Sequence, residues 1–232
     1  MINFLKRVSG LTAVILAAAL VAACGGGGSS DPAVVPPAPL LAQYQGTWAQ
    51  GCEQVKAMSG VTIASNRVFV SIGSPTASGS VSEVVFEQYF NSVDCTGAAI
   101  ATITDAPETI TTAGTKTVGP ITVVKVLLTS AGGTSTFSGP AVSTSVRVPG
   151  ANPELAIKLG SGVDALTRTT SLTREAFAVK AIFSLVSTTS TPNSFDVGFG
   201  PNFDGTGTIS VDAEGYPNNL STNPIFGRLT KQ

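Results

Sequence analysis

The chain has 232 residues, 13 basic and 14 acidic side chains and no histidine, and its charged fraction is 12% against a typical ~25%. The absence of a basic excess argues against a nucleic-acid partner. Without histidine neither a Ser–His–Asp nor a Cys–His arrangement can be built.

Lys6 and Arg7 precede an uncharged stretch from Val8 to Ala23, which closes on Val21-Ala22-Ala23-Cys24. A charged start, an apolar run and small residues before a cut site make a secretory signal. The competing reading is a transmembrane helix, but spanning needs roughly 20 apolar residues, and this run is shorter and ends in a glycine run. The Val-Ala-Ala-Cys ending resembles a bacterial lipobox. That resemblance implies cleavage before Cys24 and attachment of acyl chains, palmitate among them, to Cys24. Gly25 stands where an aspartate often signals inner-membrane retention, so the resemblance implies the outer membrane, on its periplasmic face. Residues 1–23 are therefore read as signal peptide and residues 24–40 as the lipidated cysteine and its linker. The linker's glycine half is flexible and its proline half stiff. Extended, it reaches on the order of 40–50 Å.

The folded domain is expected over residues 41–232, and it reads as all-β. Candidate strands are Val61–Ile72, Ser82–Phe90, Ala99–Thr104, Thr109–Thr112, Ile121–Thr129, Ala141–Val148, Phe177–Val186, Phe195–Phe199 and Thr206–Val211. They are rich in β-branched and aromatic residues and separated by Gly, Pro, Asn and Ser clusters. Such spacing predicts an antiparallel barrel or sandwich. Ser161–Thr170 is the one place where a turn or two of helix is expected. Asp212–Pro217 reads as a turn.

Three cysteines are present. With Cys24 acylated, Cys52 and Cys95 remain, and two cysteines in an exported protein are expected to pair. The loop they close would stabilise by roughly 3–4 kcal/mol in the chain-entropy account. Buried free thiols or a metal pair are the alternatives, though with no histidine a zinc site would need carboxylates.

Tyr44-Gln45-Gly46-Thr47-Trp48, followed by Cys52, is the most distinctive folded-domain signal. Trp48, the single tryptophan, is expected in the core against the half-cystine, with ligand stacking as the alternative. The run YxGTWxxxC, the segment FEQYFNSVDCTG at 86–97, DAEGYP at 212–217 and the terminal Lys231-Gln232 together look like a group of proteobacterial outer-membrane lipoproteins without an agreed activity. This resemblance implies lipidation, the disulfide and β architecture. A second resemblance is to lipocalin-like barrels, which carry Gly-x-Trp in the first strand and a late arginine over the indole. It implies that Arg228 stacks on Trp48, a cation–π pair, although the Thr-Asp-Tyr turn of that family is absent.

No catalytic residue is identified. A carboxylate-based hydrolase would need two acids about 5–10 Å apart, and most acids here sit beside turn residues. Asn202, Asp204, Asp212 and Glu214 could offer oxygen ligands for calcium, but their order fits no EF-hand, and Asp204-Gly205 is expected to make a hairpin turn. No metal or cofactor is expected. Two functions remain: an envelope protein that binds a partner, or a lipocalin-like carrier of a small apolar ligand, which would need an internal cavity.

Overall fold

A computed structural model describes residues 40–145, 154–186, 194–199, 210–220 and 228–232. Residues 1–39, with the signal peptide, Cys24 and all but the last residue of the linker, lie outside them, as do the proposed turn at Asp204-Gly205 and most of the expected strand Thr206–Val211. The unit Pro39–Gln232 carries sixteen described strands: β1 (Gly46–Ala49), β2 (Glu53–Lys56), β3 (Thr62–Ile72), β4 (Val81–Phe90), β5 (Ala99–Thr104), β6 (Glu108–Val118), β7 (Ile121–Ser130), β8 (Gly133–Thr134), β9 (Thr136–Ser138), β10 (Val142–Ser145), β11 (Glu154–Leu159), β12 (Leu166–Ser171), β13 (Thr173–Arg174), β14 (Phe177–Val186), β15 (Ser194–Phe199) and β16 (Arg228–Lys231).

Of the two architectures that the sequence allows, the protein adopts the barrel. Strands β1, β3, β4, β6, β7, β14, β15 and β16 pair antiparallel in that order, and β16 returns to β1 through Trp48 opposite Lys231. Taken in chain order, each of these strands lies beside the next, so the barrel is an up-and-down meander. Closure leaves no open edge among these eight strands.

Strands β3 and β4 are longer than the barrel needs. Near one end β3 pairs with β1 over residues 69–72, and near the other with β2. Likewise β4 pairs with β6 over Val81–Glu83 and with β5 over Phe86–Phe90. The free halves of β3 and β4, flanked by β2, β5 and β9, form a second layer that packs on β10, β11 and β12. Each layer has its own core. Val55, Ala64, Tyr89, Ala101, Ile103, Ile157 and Leu159 fill the second.

The barrel core follows from strand alternation. Val124, Val126 and Leu128 of β7 and Ala181 and Phe183 of β14 face inward. The opposite face of the same strands is apolar too, because Val123 and Ile182 lie beneath Tyr216 and Leu220. This explains why Ile121–Thr129 reads as a nearly continuous apolar run: both faces are covered. Before β1, a single 3-10 turn at Ala42–Tyr44 folds Leu41 and Tyr44 into the barrel, where they are 0% and 1% exposed.

Several elements differ from the sequence expectation. Thr109–Thr112 extends to an eleven-residue β6, because a bulge between Thr112 and Thr115, with Gly114 at φ 91°, lets the strand continue past its glycine. Ser161–Thr170 holds one 3-10 turn at Gly162–Asp164 and then β12. The alternating Leu166, Arg168 and Thr170 side chains suit a half-buried strand better than a helix.

Candidate functional site

Two glutamates lie inside the barrel wall. Glu83 on β4 stands directly opposite Glu108 on β6. Val81 and Val85, two residues either side of Glu83, face the core, as does Ile110, two residues from Glu108. Period-two geometry therefore turns both carboxyls inward, with Cβ atoms about 5 Å apart in such a pair. The two residues are 6% and 7% exposed, and Glu83 Oε2 has no hydrogen-bond partner.

This setting disfavours charge. Burial first, and the neighbouring Glu108 second, push the Glu83 carboxyl up to about 8. Burial pushes Glu108 up to about 7, against the pull of Arg174 and with the help of Asp105. Two acids in contact titrate as a unit, so at neutral pH the pair retains at least one proton.

Above the pair sits an acid–base cap. Asp105, in the link between β5 and β6, accepts hydrogen bonds from Arg174 at 2.6 Å and from the Ser135 hydroxyl at 2.9 Å. Arg174 arrives on β13, which pairs with β8. Gly133 of β8 is held so close that a Cβ there would come within 2.8 Å of the Ala106 Cβ. The ribbon β8–β13 is thus seated tightly against the turn that carries Asp105. Burial raises the Asp105 carboxyl despite Arg174.

Chemically, the pair can hold and exchange protons. It satisfies one requirement of a carboxylate hydrolase, two neighbouring acids with raised affinity for protons. Among the described residues no group of three or more His, Cys, Asp or Glu side chains is placed to hold a metal ion. The sequence reading missed both glutamates. The available signal was parity: Glu83 shares its strand face with Val81 and Val85.

The residues singled out from sequence are placed as follows. Trp48 is 0% exposed, edge-on to Phe195 at 4.8 Å, with its indole N–H donating to the Tyr44 carbonyl at 2.6 Å. Phe195 in turn packs on Tyr44 and Phe183 at 5.3 and 5.4 Å. The cation over the indole is Lys231, at 5.4 Å, and Arg228 does not stack there. Arg228 and Lys231 lie three residues apart on a strand, so their side chains leave by opposite faces. Arg228 instead forms a two-pronged pair with Asp196 of β15, at 2.7 and 2.8 Å.

Cys52 and Cys95 are joined, with Cα atoms 5.8 Å apart. The bridge ties the segment before β2 to the loop after β4. Cys95 adopts φ 58°, and its N–H donates to the Ser65 hydroxyl at 2.9 Å. Ser65 is five residues along β3 from Val70, the partner of Trp48, so Trp48 packs on aromatic rings and not on the bridge.

Asp212–Pro217 is a turn, as its sequence suggests. The Asp212 N–H donates to the Tyr216 carbonyl at 2.9 Å, and Gly215 N–H donates to the Asp212 carbonyl at 2.9 Å. The Asp212 and Glu214 carboxylates, offered above as calcium ligands, each pair with a lysine, Lys116 at 2.6 Å and Lys125 at 2.7 Å. Asn202 and Asp204 lie outside the described residues. The chain matches no protein-family model, no curated protein and no solved structure.

Proposed function

We propose that the protein is a lipid-anchored module of the bacterial outer membrane, held through Cys24 on the periplasmic face, whose barrel serves as a rigid scaffold for binding other envelope components. The observation that carries this reading is the filled interior. Tyr44, Trp48 and Phe195 meet edge to face inside the wall, and Val81, Ile110, Val126 and Ala181 around them are 0–1% exposed. A side chain lining a water-sized void would keep accessible surface, so such values favour a solid core over a container. The lipobox-like segment supports the anchor.

The lipocalin-like carrier is the second reading. It draws on the eight-stranded meander with Gly46-Thr47-Trp48 in its first strand. One experiment separates the two: intact mass of the membrane-fractionated protein after delipidation, with analysis of the solvent extract. Acylated Cys24 as the new N-terminus and an empty extract are expected. A stoichiometric small molecule in the extract would transfer the assignment to the carrier, and an uncleaved signal would remove the anchor.

A further inference from the structure

The end of the second layer away from β1 carries an apolar tip. Met58, in the β2–β3 turn, and Val163, in the β11–β12 connection, are 101% and 102% exposed, and Val61 is 54% exposed. The two loops are fastened together: the Ser59 hydroxyl donates to Asp164 Oδ1 at 2.7 Å. Residues adjacent in sequence to Met58 and Val163 thus form the contact, which brings both loops, with their exposed apolar side chains, to one end of the layer.

From this geometry we infer that the tip inserts shallowly into a lipid bilayer containing anionic headgroups. The inference deepens the interaction-module reading and rests on it; it does not require that Cys24 be acylated. Three features favour a bilayer over a protein partner. First, Met58 and Val163 project fully from the two loops, and projecting apolar apices fit a fluid better than a shaped pocket. Second, both loops are tight turns that pair part of their own backbone, which lowers the cost of leaving water: Ala57 N–H donates to Val61 O at 2.8 Å, Gly60 N–H to Ala57 O at 3.0 Å and Ala165 N–H to Gly162 O at 3.3 Å. Third, the exposed Lys56 and Lys158 flank the two loops, and ammonium groups beside an anionic surface are drawn to it. Asp164, the acid at the tip, is engaged by Ser59.

Met58 is the one methionine beyond residue 1, so its oxidation reports on the tip alone. The full chain is reconstituted in vesicles of phosphatidylcholine, with or without phosphatidylglycerol, and treated with hydrogen peroxide. Sulfoxide formation at Met58 should be severalfold slower on phosphatidylglycerol vesicles than on phosphatidylcholine alone. Val163→Asp, at a fully exposed position where the fold is not disturbed, should abolish the protection, and Lys56→Glu with Lys158→Glu should erase the lipid preference. Met58 oxidising on phosphatidylglycerol vesicles as fast as in the Val163→Asp chain overturns the inference and leaves the tip to a protein partner. Intact mass of the same sample reports Cys24 acylation separately, so failure of the anchor and failure of the tip are distinguishable.

Discussion

Glu83 and Glu108 face each other across the β4–β6 ladder inside the barrel wall, and among the described residues Glu83 Oε2 has no hydrogen-bond partner. Both carboxyls hold their protons well above the ordinary glutamate value of about 4.3, to about 8 and about 7. The unfolded chain releases these protons from about pH 4 upward while the folded chain keeps them. The pair's contribution to stability is therefore complete below about pH 4, declines as pH rises, and is lost by about pH 8. Asp105, also raised by burial, acts in the same direction. Thermal unfolding followed from pH 5 to pH 9 should show a falling midpoint. Glu83→Gln mimics the protonated acid and should flatten that fall, with a gain of about 1–2 kcal/mol at pH 8.5, or several degrees. Parallel curves for the two proteins would refute the coupling.

Lys231 and Arg228 make opposite predictions at adjacent points of one strand. Lys231 lies over the Trp48 indole, so Lys231→Ala should cost about 0.5–1 kcal/mol and alter tryptophan emission. Arg228 pairs with Asp196 at the surface, its side chain 60% exposed, so Arg228→Ala should cost at most ~1 kcal/mol and leave emission unchanged. Trp48→Ala should cost ~3–5 kcal/mol, from the cavity it would open among Tyr44 and Phe195. Denaturant unfolding with fluorescence of the two single lysine and arginine variants decides which cation belongs to the indole.

The parts of the fold legible in sequence are those where one local signal suffices. Ala99–Thr104 and Phe177–Val186 coincide with β5 and β14 because alternation and flanking turn residues agree. Glu154–Leu159, which forms β11, carries only a weak strand signal, because glutamate and lysine interrupt its apolar run. Pairing with β10 and β12 supplies what the segment lacks alone. The choice between barrel and sandwich depended on β16 meeting β1, a contact between the chain's last residues and Trp48 that no local pattern encodes. The site was hidden for a related reason. An acid in a strand reads as solvent-facing, and only the register that sets Glu83 against Glu108 reveals two acids sharing the interior.

The turn at Asp212–Pro217 is clamped onto the outside of the barrel by three lysines from three strands. Lys116 of β6 donates to Asp212 Oδ2, the Pro217 carbonyl and Asn218 Oδ1 at 2.6, 3.0 and 3.0 Å, which uses all three of its protons. Lys125 of β7 and Lys180 of β14 flank the Tyr216 ring, each at 5.2 Å. The Lys116 hydrogen bond, followed by the Tyr216 backbone, holds the Asp212 carboxyl down to about 2, so this clamp contributes above about pH 4 and is lost only as pH falls toward 2. Lys116→Met should speed amide exchange at Tyr216 and Asn218 while leaving β7 and β14 protected. Unchanged exchange at those amides would mean that the Tyr216 contact with Val123 and Ile182 alone holds the turn.

Gly198 tests how closely that same segment lies on the barrel. A Cβ at Gly198 of β15 would come within 2.5 Å of the Asn219 carbonyl oxygen and 2.8 Å of Ile182. The Ile182 side chain can rotate aside, but the backbone at Asn219 must move. No left-handed backbone is required here, so the whole effect of Gly198→Ala is steric. It should cost about 1–3 kcal/mol, and the loss should fall on the 210–220 segment: faster amide exchange at Asn218 and Leu220, with little change at Trp48. Combined with Lys116→Met, the two costs should sum to less than their separate values, because each releases the same segment. Strict additivity would show instead that Gly198 supports the barrel wall itself.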